Sequence, residues 1–118
     1  MLSLKFALKP ISKDNEKIFN RGGRFFLSKR FKDFECEIGR QAIAQLPKGF
    51  KVLEGQVSVR IVFMFKDRRR RDLLNLPKSF CDALNGIVWQ DDSQIYYAKL
   101  GKLLKQETEG IVLDIDEN

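Results

Sequence analysis

The chain of 118 residues is basic, with 22 lysines and arginines, 16 acidic residues and a formal net charge of +6. Its length suits one domain, and 43% hydrophobic with 32% charged residues is typical of a globular protein with one modest core. The sequence contains no histidine, which excludes Ser–His and Cys–His nucleophiles and every imidazole metal site. Any metal site must therefore use oxygen ligands, which favours magnesium or manganese over zinc.

The net charge, the N-terminal residues and the two cysteines indicate which partners, location and metal chemistry to expect of the protein. A basic balance favours polyanionic partners, nucleic acid first. Residues 1–13 carry a lysine inside their apolar stretch and no small-residue cleavage site, and no apolar run approaches the ~20 residues of a membrane span. We therefore expect a cytoplasmic protein without a membrane partner. Cys36 and Cys81 form no CxxC pair, which argues against structural zinc, and we expect both to be buried thiols.

The first half of the chain predicts a strand, a loop and a helix. Residues 2–8 alternate in the manner of a strand, whereas residues 9–24 are polar and irregular and predict a loop. Residues 25–27 predict a short extended piece. Ser28 is the predicted N-cap of a helix that continues to about Leu46, because apolar residues recur at spacings of three and four.

The second half predicts a strand, a helix and two further strands. Residues 56–65 are rich in β-branched and aromatic side chains, which indicates a strand. After a charged loop, Asn75 is predicted to cap a helix that runs to Leu84. Residues 95–104 and 110–116 predict the last two strands, joined as a hairpin. The order β-α-β-α-β-β indicates a single-domain α+β fold, a small mixed β-sheet packed with two helices.

Four consecutive arginines, Arg68, Arg69, Arg70 and Arg71, lie between the strong strand and the second helix. A charge run is commonly only a solvated face. This position, however, projects the guanidinium groups from a rigid edge, and arginine forks match phosphate oxygens. The run therefore predicts phosphate contacts, with a solvated face as the alternative.

Acidic residues stand at the ends of neighbouring elements. Asp72 ends the arginine run, and Asp91 and Asp92 follow the apolar stretch after the second helix. Loops at element ends converge on a rim of the sheet, where carboxylates would hold magnesium for phosphodiester hydrolysis. Lys78, in the first turns of the helix, would face that rim and hold the scissile phosphate or stabilise the leaving group. The alternative is ordinary loop acids and an exposed helix lysine.

The stretch DRRRRDLLNLPKSFCDALNGIVWQDDSQI, residues 67–95, resembles the signature region of the RusA family. The segment KPISKDN, with Asn15 as a DNA-binding candidate, resembles that family's loop before its first helix. The resemblance implies a homodimeric α+β endonuclease that binds four-way (Holliday) DNA junctions and cuts them by paired symmetrical nicks with Mg²⁺ or Mn²⁺. It also implies that Asp72 is a metal ligand, that Asn75 contacts DNA and that Lys78 is catalytic.

The family's Asp-Asp pair matches Asp91 and Asp92, so the resemblance implies Asp72, Asp91 and Asp92 as metal ligands, with Asp92 essential. Asp82 matches a helix aspartate and receives no catalytic role. One position departs from the family, because Leu74 stands at the second Asp of its Asp-x-Asp-Asn motif. Three alternatives follow: the three aspartates and water hold a weakened metal, a carboxylate from elsewhere compensates, or the chain binds junctions without cutting them.

Two hypotheses of different classes therefore remain. The first is a metal-dependent junction endonuclease. The second is a catalytically impaired, structure-selective junction-binding protein, motivated by Leu74. A basic RNA-associated module has less support, because the sequence shows no RNP-like aromatic pair and no glycine loop of an RNA-binding fold.

Overall fold

A computed structural model of the chain describes residues 1–12, 17–19 and 25–117, with backbone alone at 17–19 and 25–27. The candidate Asn15 lies outside the described residues. In chain order the elements are β1 (Leu2–Phe6), β2 (Lys17–Phe19), β3 (Phe25–Leu27), α1 (Lys29–Gln45), β4 (Val57–Met64), α2 (Leu76–Ala83), β5 (Ile95–Leu103) and β6 (Gly110–Glu117). They confirm the α+β fold and broadly confirm the predicted order.

The main sheet has the strand order β1-β6-β4-β5. Strand β6 is antiparallel to both β1 and β4, whereas β4 and β5 run parallel, as the mixed sheet requires. The predicted hairpin of the last two strands is therefore wrong. Alternate residues of β6, Ile111, Leu113 and Ile115, are at most 2% exposed, which favours a central strand, whereas β5 is largely exposed and forms an edge. The parallel pair needs a crossover connection, which α2 supplies.

A second, two-stranded sheet pairs β2 with β3. The predicted loop over residues 9–24 is therefore wrong at Lys17–Phe19, where a strand of three residues is too short to show alternation. The extended piece predicted at 25–27 is confirmed as β3.

Helix α1 begins where the sequence predicted it. The Phe31 backbone N–H donates to Ser28 Oγ at 3.1 Å, a cap typically worth about 1 kcal/mol. Both helices contribute to one core with the sheet, and alternate residues of β4 are buried in it. Among its fully buried side chains are Trp89, Phe63 and Phe80.

Two glutamines of α1 cover the free edge of β1. The Lys5 N–H donates to Gln45 Oε1 at 2.7 Å, and Gln45 Nε2 donates to the Lys5 carbonyl at 2.6 Å. Gln41 makes the same pair of contacts with the backbone of Ala7. These side-chain amides replace a neighbouring strand, so this edge is closed to further pairing.

The described residues also test two simpler expectations. No helix among them is long and apolar enough to cross a membrane. Both cysteines are free, and Cys81 is buried as expected. Cys36 is exposed, so its predicted burial is wrong, because the buried face of α1 is formed by neighbours such as Phe34 and Ile38.

Candidate active site

In the loop after β4, Arg71 has a different environment from the other three arginines of the run. Arg71 Nη1 lies 2.6 Å from Asp67 Oδ1, and Nη2 lies 3.0 Å from Oδ2. The Arg71 guanidinium also lies 4.0 Å from the centre of the Phe65 ring, and its side chain is only 15% exposed. Its hydrogen bonds hold the pKa of Asp67 well below the usual range. Arg71 therefore stabilises the conformation of this loop through its contacts with Asp67 and Phe65.

A groove of about 610 Å³, here called the basic groove, lies beside the arginine run. Arg69 and Arg70 line it and are exposed, whereas Arg68 is exposed outside its lining. Segments distant in sequence add Lys9, after β1, and Arg30, in the first turn of α1. The groove thus gathers cations from three parts of the chain, which the sequence run alone did not indicate. Its lining also includes Arg71, Asp72 and Asn75.

Helix α2 follows a single 3-10 turn, Leu73–Asn75. Asn75 occupies the predicted N-cap position, but its side chain makes no capping hydrogen bond. The predicted position of the N-cap is therefore confirmed, but the capping hydrogen bond that the prediction implied is not formed. Because Asn75 also lines the basic groove, its amide is available for the predicted role in DNA binding.

Lys78 brings two carboxylates together. Its Nζ lies 3.2 Å from Asp82 Oδ1, one helical turn further on, and 3.4 Å from Asp92 Oδ2. The lysine side chain is 69% exposed, whereas each aspartate side chain is 23% exposed. Asp82, and then Asp92, raise the pKa of Lys78. Partial burial raises the pKa of Asp92, and a hydrogen bond with the Asp82 carboxyl raises it further. These three residues are called the carboxylate–lysine cluster below.

Asp91 shapes the 3-10 turn that carries Asp92. Its Oδ2 accepts from the Ser93 N–H at 3.0 Å, and its own N–H donates to Gln94 Oε1 at 2.9 Å, which together form a capping box. Gln94 Nε2 also donates to the Leu53 carbonyl at 2.8 Å, which fixes the turn to the segment before β4. Hydrogen bonds from Ser93 lower the pKa of Asp91. The Asp91 carboxylate is thus engaged in holding the turn.

Leu74 lines a second groove of about 270 Å³, here called the apolar groove, and is 79% exposed. Lys78 and Asp92 stand in the same lining, so position 74 faces the same space as Asp92, the acid that the resemblance implies to be essential. Burial raises the pKa of the adjacent Cys81 thiol to about 12, which keeps it protonated. The remaining walls are Val59, Ile61, Pro77, Ile95, Ala98 and Leu100.

The predicted site residues are only partly brought together. Lys78 meets Asp92, but Asp72 lines the basic groove and Asp91 caps its own turn. Within the described ranges, no group of three or more Cys, Asp or Glu side chains is placed to hold one metal ion. The assignment of three aspartate ligands therefore stays a prediction. No role in the site was predicted for Asp82 from the sequence. Its spacing of four residues from Lys78 on one helix is the signal that indicates their contact.

Comparisons with known proteins show how far the resemblance extends along the chain. The family model described as "Endodeoxyribonuclease RusA" matches residues 7–116. The chain is also 28% identical over 118 residues to "Crossover junction endodeoxyribonuclease RusA" of Aquifex aeolicus (strain VF5), which covers 97% of this chain and 90% of that relative. The resemblance drawn from residues 67–95 therefore extends over nearly the whole chain.

Proposed function

Because the chain belongs to the RusA endodeoxyribonuclease family, we propose that it binds four-way (Holliday) DNA junctions as a homodimer and resolves them by paired symmetrical nicks that depend on Mg²⁺ or Mn²⁺. The observation that carries this proposal is the contact of Lys78 with Asp92. These residues lie on α2 and the turn before β5, and the first turn of α2 also lines the basic groove. A carboxylate donor and a phosphate-binding cation therefore stand beside a surface suited to DNA.

The oxygen donors of this region fit a magnesium or manganese ion. Mg²⁺ is usually held by one or two carboxylates, with waters and substrate phosphates as its other ligands. Asp92 is the central donor in this proposal. The resemblance also implies Asp72 and Asp91 as ligands, whereas in the structure Asp72 lines the basic groove and Asp91 caps its own turn. When bound, the ion supplies an activated water and stabilises the leaving oxygen.

The cationic residues have separate tasks in the proposal. Lys78 holds the scissile phosphate, since its side chain is 69% exposed and carries its ammonium on a flexible stem. Arg69 and Arg70 bind neighbouring phosphates along the basic groove, and the Asn75 amide donates to the DNA backbone. Arg68 is exposed beside them and extends the same contact surface.

The exposed edge of strand β5 supports the homodimer part of the proposal. It forms an edge of the main sheet and carries exposed apolar side chains, with Tyr96 67%, Tyr97 66% and Leu103 46% exposed. An open strand edge with such side chains is a template for a strand of another chain. Two copies would supply the two active sites that paired nicks require. Light scattering should give twice the mass of one chain, and a monomeric mass at the concentrations that cleave junctions would contradict the homodimer.

Junction binding without cleavage is a second candidate function. The specific observation that favours it is Leu74, an exposed leucine beside Asp92 at the position where the family has an acid. A leucine offers no oxygen to a cation, so the metal site loses one donor.

Incubation with a labelled synthetic four-way junction, with and without Mg²⁺ or Mn²⁺, separates the two functions. Linear duplex and the Leu74→Asp variant run alongside. Symmetrical metal-dependent nicks by the native chain, with linear duplex left intact, are the expected result. Tight junction binding with nicks from Leu74→Asp alone would favour the second function. Failure of both proteins to bind the junction in preference to duplex would overturn both.

A further inference from the structure

Asp82 stands where the site needs a second carboxylate. It lies on α2, Asp92 lies on the 3-10 turn before β5, and the Lys78 ammonium lies 3.2 Å from Asp82 Oδ1 and 3.4 Å from Asp92 Oδ2. Both carboxylates therefore contact the same ammonium. We propose that Asp82 and Asp92 together hold the divalent cation, with Asp82 supplying the oxygen donor that Leu74 lacks. This inference rests on the proposed metal-dependent function and gives a role to a residue that sequence matching left without one.

The surroundings of the pair favour a cation between the two carboxylates. Each side chain is 23% exposed, and two partly buried carboxylates repel each other unless a cation or a shared proton compensates. The Lys78 ammonium lies within 3.4 Å of an oxygen of each, so a cation is already accommodated there. Lys78 is itself largely exposed, and its ammonium can move to a DNA phosphate when the metal ion enters.

The other acids of the region have different positions. Asp91 is engaged in its capping box, and Asp72 lines the basic groove. Position 74 faces the apolar groove together with Asp92, but a leucine side chain cannot coordinate a cation. Among the described residues, Asp82 is therefore the carboxylate that shares the Lys78 ammonium with Asp92. Two carboxylates, completed by water and phosphate oxygens, are an ordinary ligand set for Mg²⁺.

The test is a titration of the full chain with Mn²⁺, in which free Mn²⁺ is measured by electron paramagnetic resonance. The variants are Asp82→Asn, Asp92→Asn and the double variant Asp82→Asn/Leu74→Asp. Asp33→Asn, at an exposed site on α1, is the matched control for the loss of one charge. Lys78→Met removes the competing ammonium. Thermal melts of every variant show whether the chain is folded.

Both single variants at the pair should bind Mn²⁺ at least about tenfold more weakly than the native chain, since even outer partners of metal ligands are worth about 10–100-fold. Asp33→Asn should bind like the native chain, Lys78→Met at least as tightly, and the double variant should recover affinity. Native affinity in Asp82→Asn would overturn the inference, because Asp82 would then only position Lys78. Absence of a Mn²⁺ site in the native chain would also overturn it.

Junction cleavage measured on the same proteins separates this inference from the proposed function. A native chain that binds Mn²⁺ through Asp82 and never nicks a junction supports the inference and overturns the endonuclease. Equal Mn²⁺ binding and equal nicking by the native chain and Asp82→Asn overturn the inference and leave the endonuclease intact.

Discussion

The basic groove and the apolar groove both draw on the segment from Asp72 to Lys78 but are lined by different residues of it. Asp72, Asn75 and Leu76 face the basic groove, whereas Leu74 and Pro77 face the apolar groove. The basic groove gathers arginines and a lysine from three segments. The apolar groove contains one acid, Asp92, and one lysine, Lys78, among mostly apolar walls.

In the proposed function, this small surface has to meet two opposed needs. DNA phosphates require cations, and a metal ion requires carboxylates, but mixed together these groups would neutralise each other. The fold places Arg69 and Arg70 in the lining of the basic groove and Asp92 in the lining of the apolar groove. Among the described residues, Lys78 is the cation that pairs with Asp82 and Asp92, and Arg71 pairs with Asp67. Four predictions test this separation, beginning with the largest effect.

Asp92→Asn should remove the chemistry and leave DNA binding nearly intact. Loss of several kcal/mol of metal-assisted stabilisation lowers the nicking rate by about 10³-fold, whereas the basic groove is unchanged. Single-turnover cleavage of a four-way junction measures the rate, and gel-shift titration measures the affinity. Asp33→Asn is the control. Normal cutting by Asp92→Asn would place the chemistry outside the carboxylate–lysine cluster.

Arg71→Ala should act on the fold. The change breaks two charge-assisted hydrogen bonds to Asp67 and the contact with the Phe65 ring, so we expect a loss of about 2 kcal/mol in the free energy of unfolding. Urea denaturation measures it, with Arg68→Ala, outside the groove lining, as the control. Unaltered stability together with weaker DNA binding would make Arg71 a phosphate contact like its neighbours.

The double change Arg69→Ala/Arg70→Ala should act on DNA binding and not on stability. Each lost phosphate contact should reduce the slope of log affinity against log salt by about 0.9, on junction and duplex alike. Fluorescence anisotropy at several salt concentrations gives that slope. A slope equal to that of the native chain would mean that these two arginines form only a solvated face and do not contact phosphates.

Asp67→Asn should reduce the acid sensitivity of the fold. Arg71 holds the pKa of Asp67 below its ordinary value of 3.8, so the pair stabilises the native chain at neutral pH and this contribution is lost as the pH falls below about 4. The variant should be less stable than the native chain at pH 7, and the difference should shrink toward pH 2.5. A constant difference between pH 7 and pH 2.5, measured by urea denaturation, would contradict this linkage.

Local sequence determined much of the fold. The cap at Ser28 and the apolar spacing of α1 depend on residues within a turn of each other, and the alternation of β4 depends on neighbours two apart, so these elements were predicted from the sequence. The strands that pair with β5 and β6 were not predicted correctly from the sequence. Strand pairing is decided by which strand can be buried on both sides, and that depends on the whole sheet.

The active-site region follows the same division. The order of arginines, acids and Lys78 in residues 67–95 was enough to indicate the family and the predicted chemistry. The tertiary structure alone decided that Arg71 pairs with Asp67, that Asp91 is used in a turn, and that Asp82 and Asp92 share the ammonium of Lys78. Residue type and spacing define which contacts are possible, but the energy of a charge depends on its burial and on the charges near it. Those are set only when distant segments pack together.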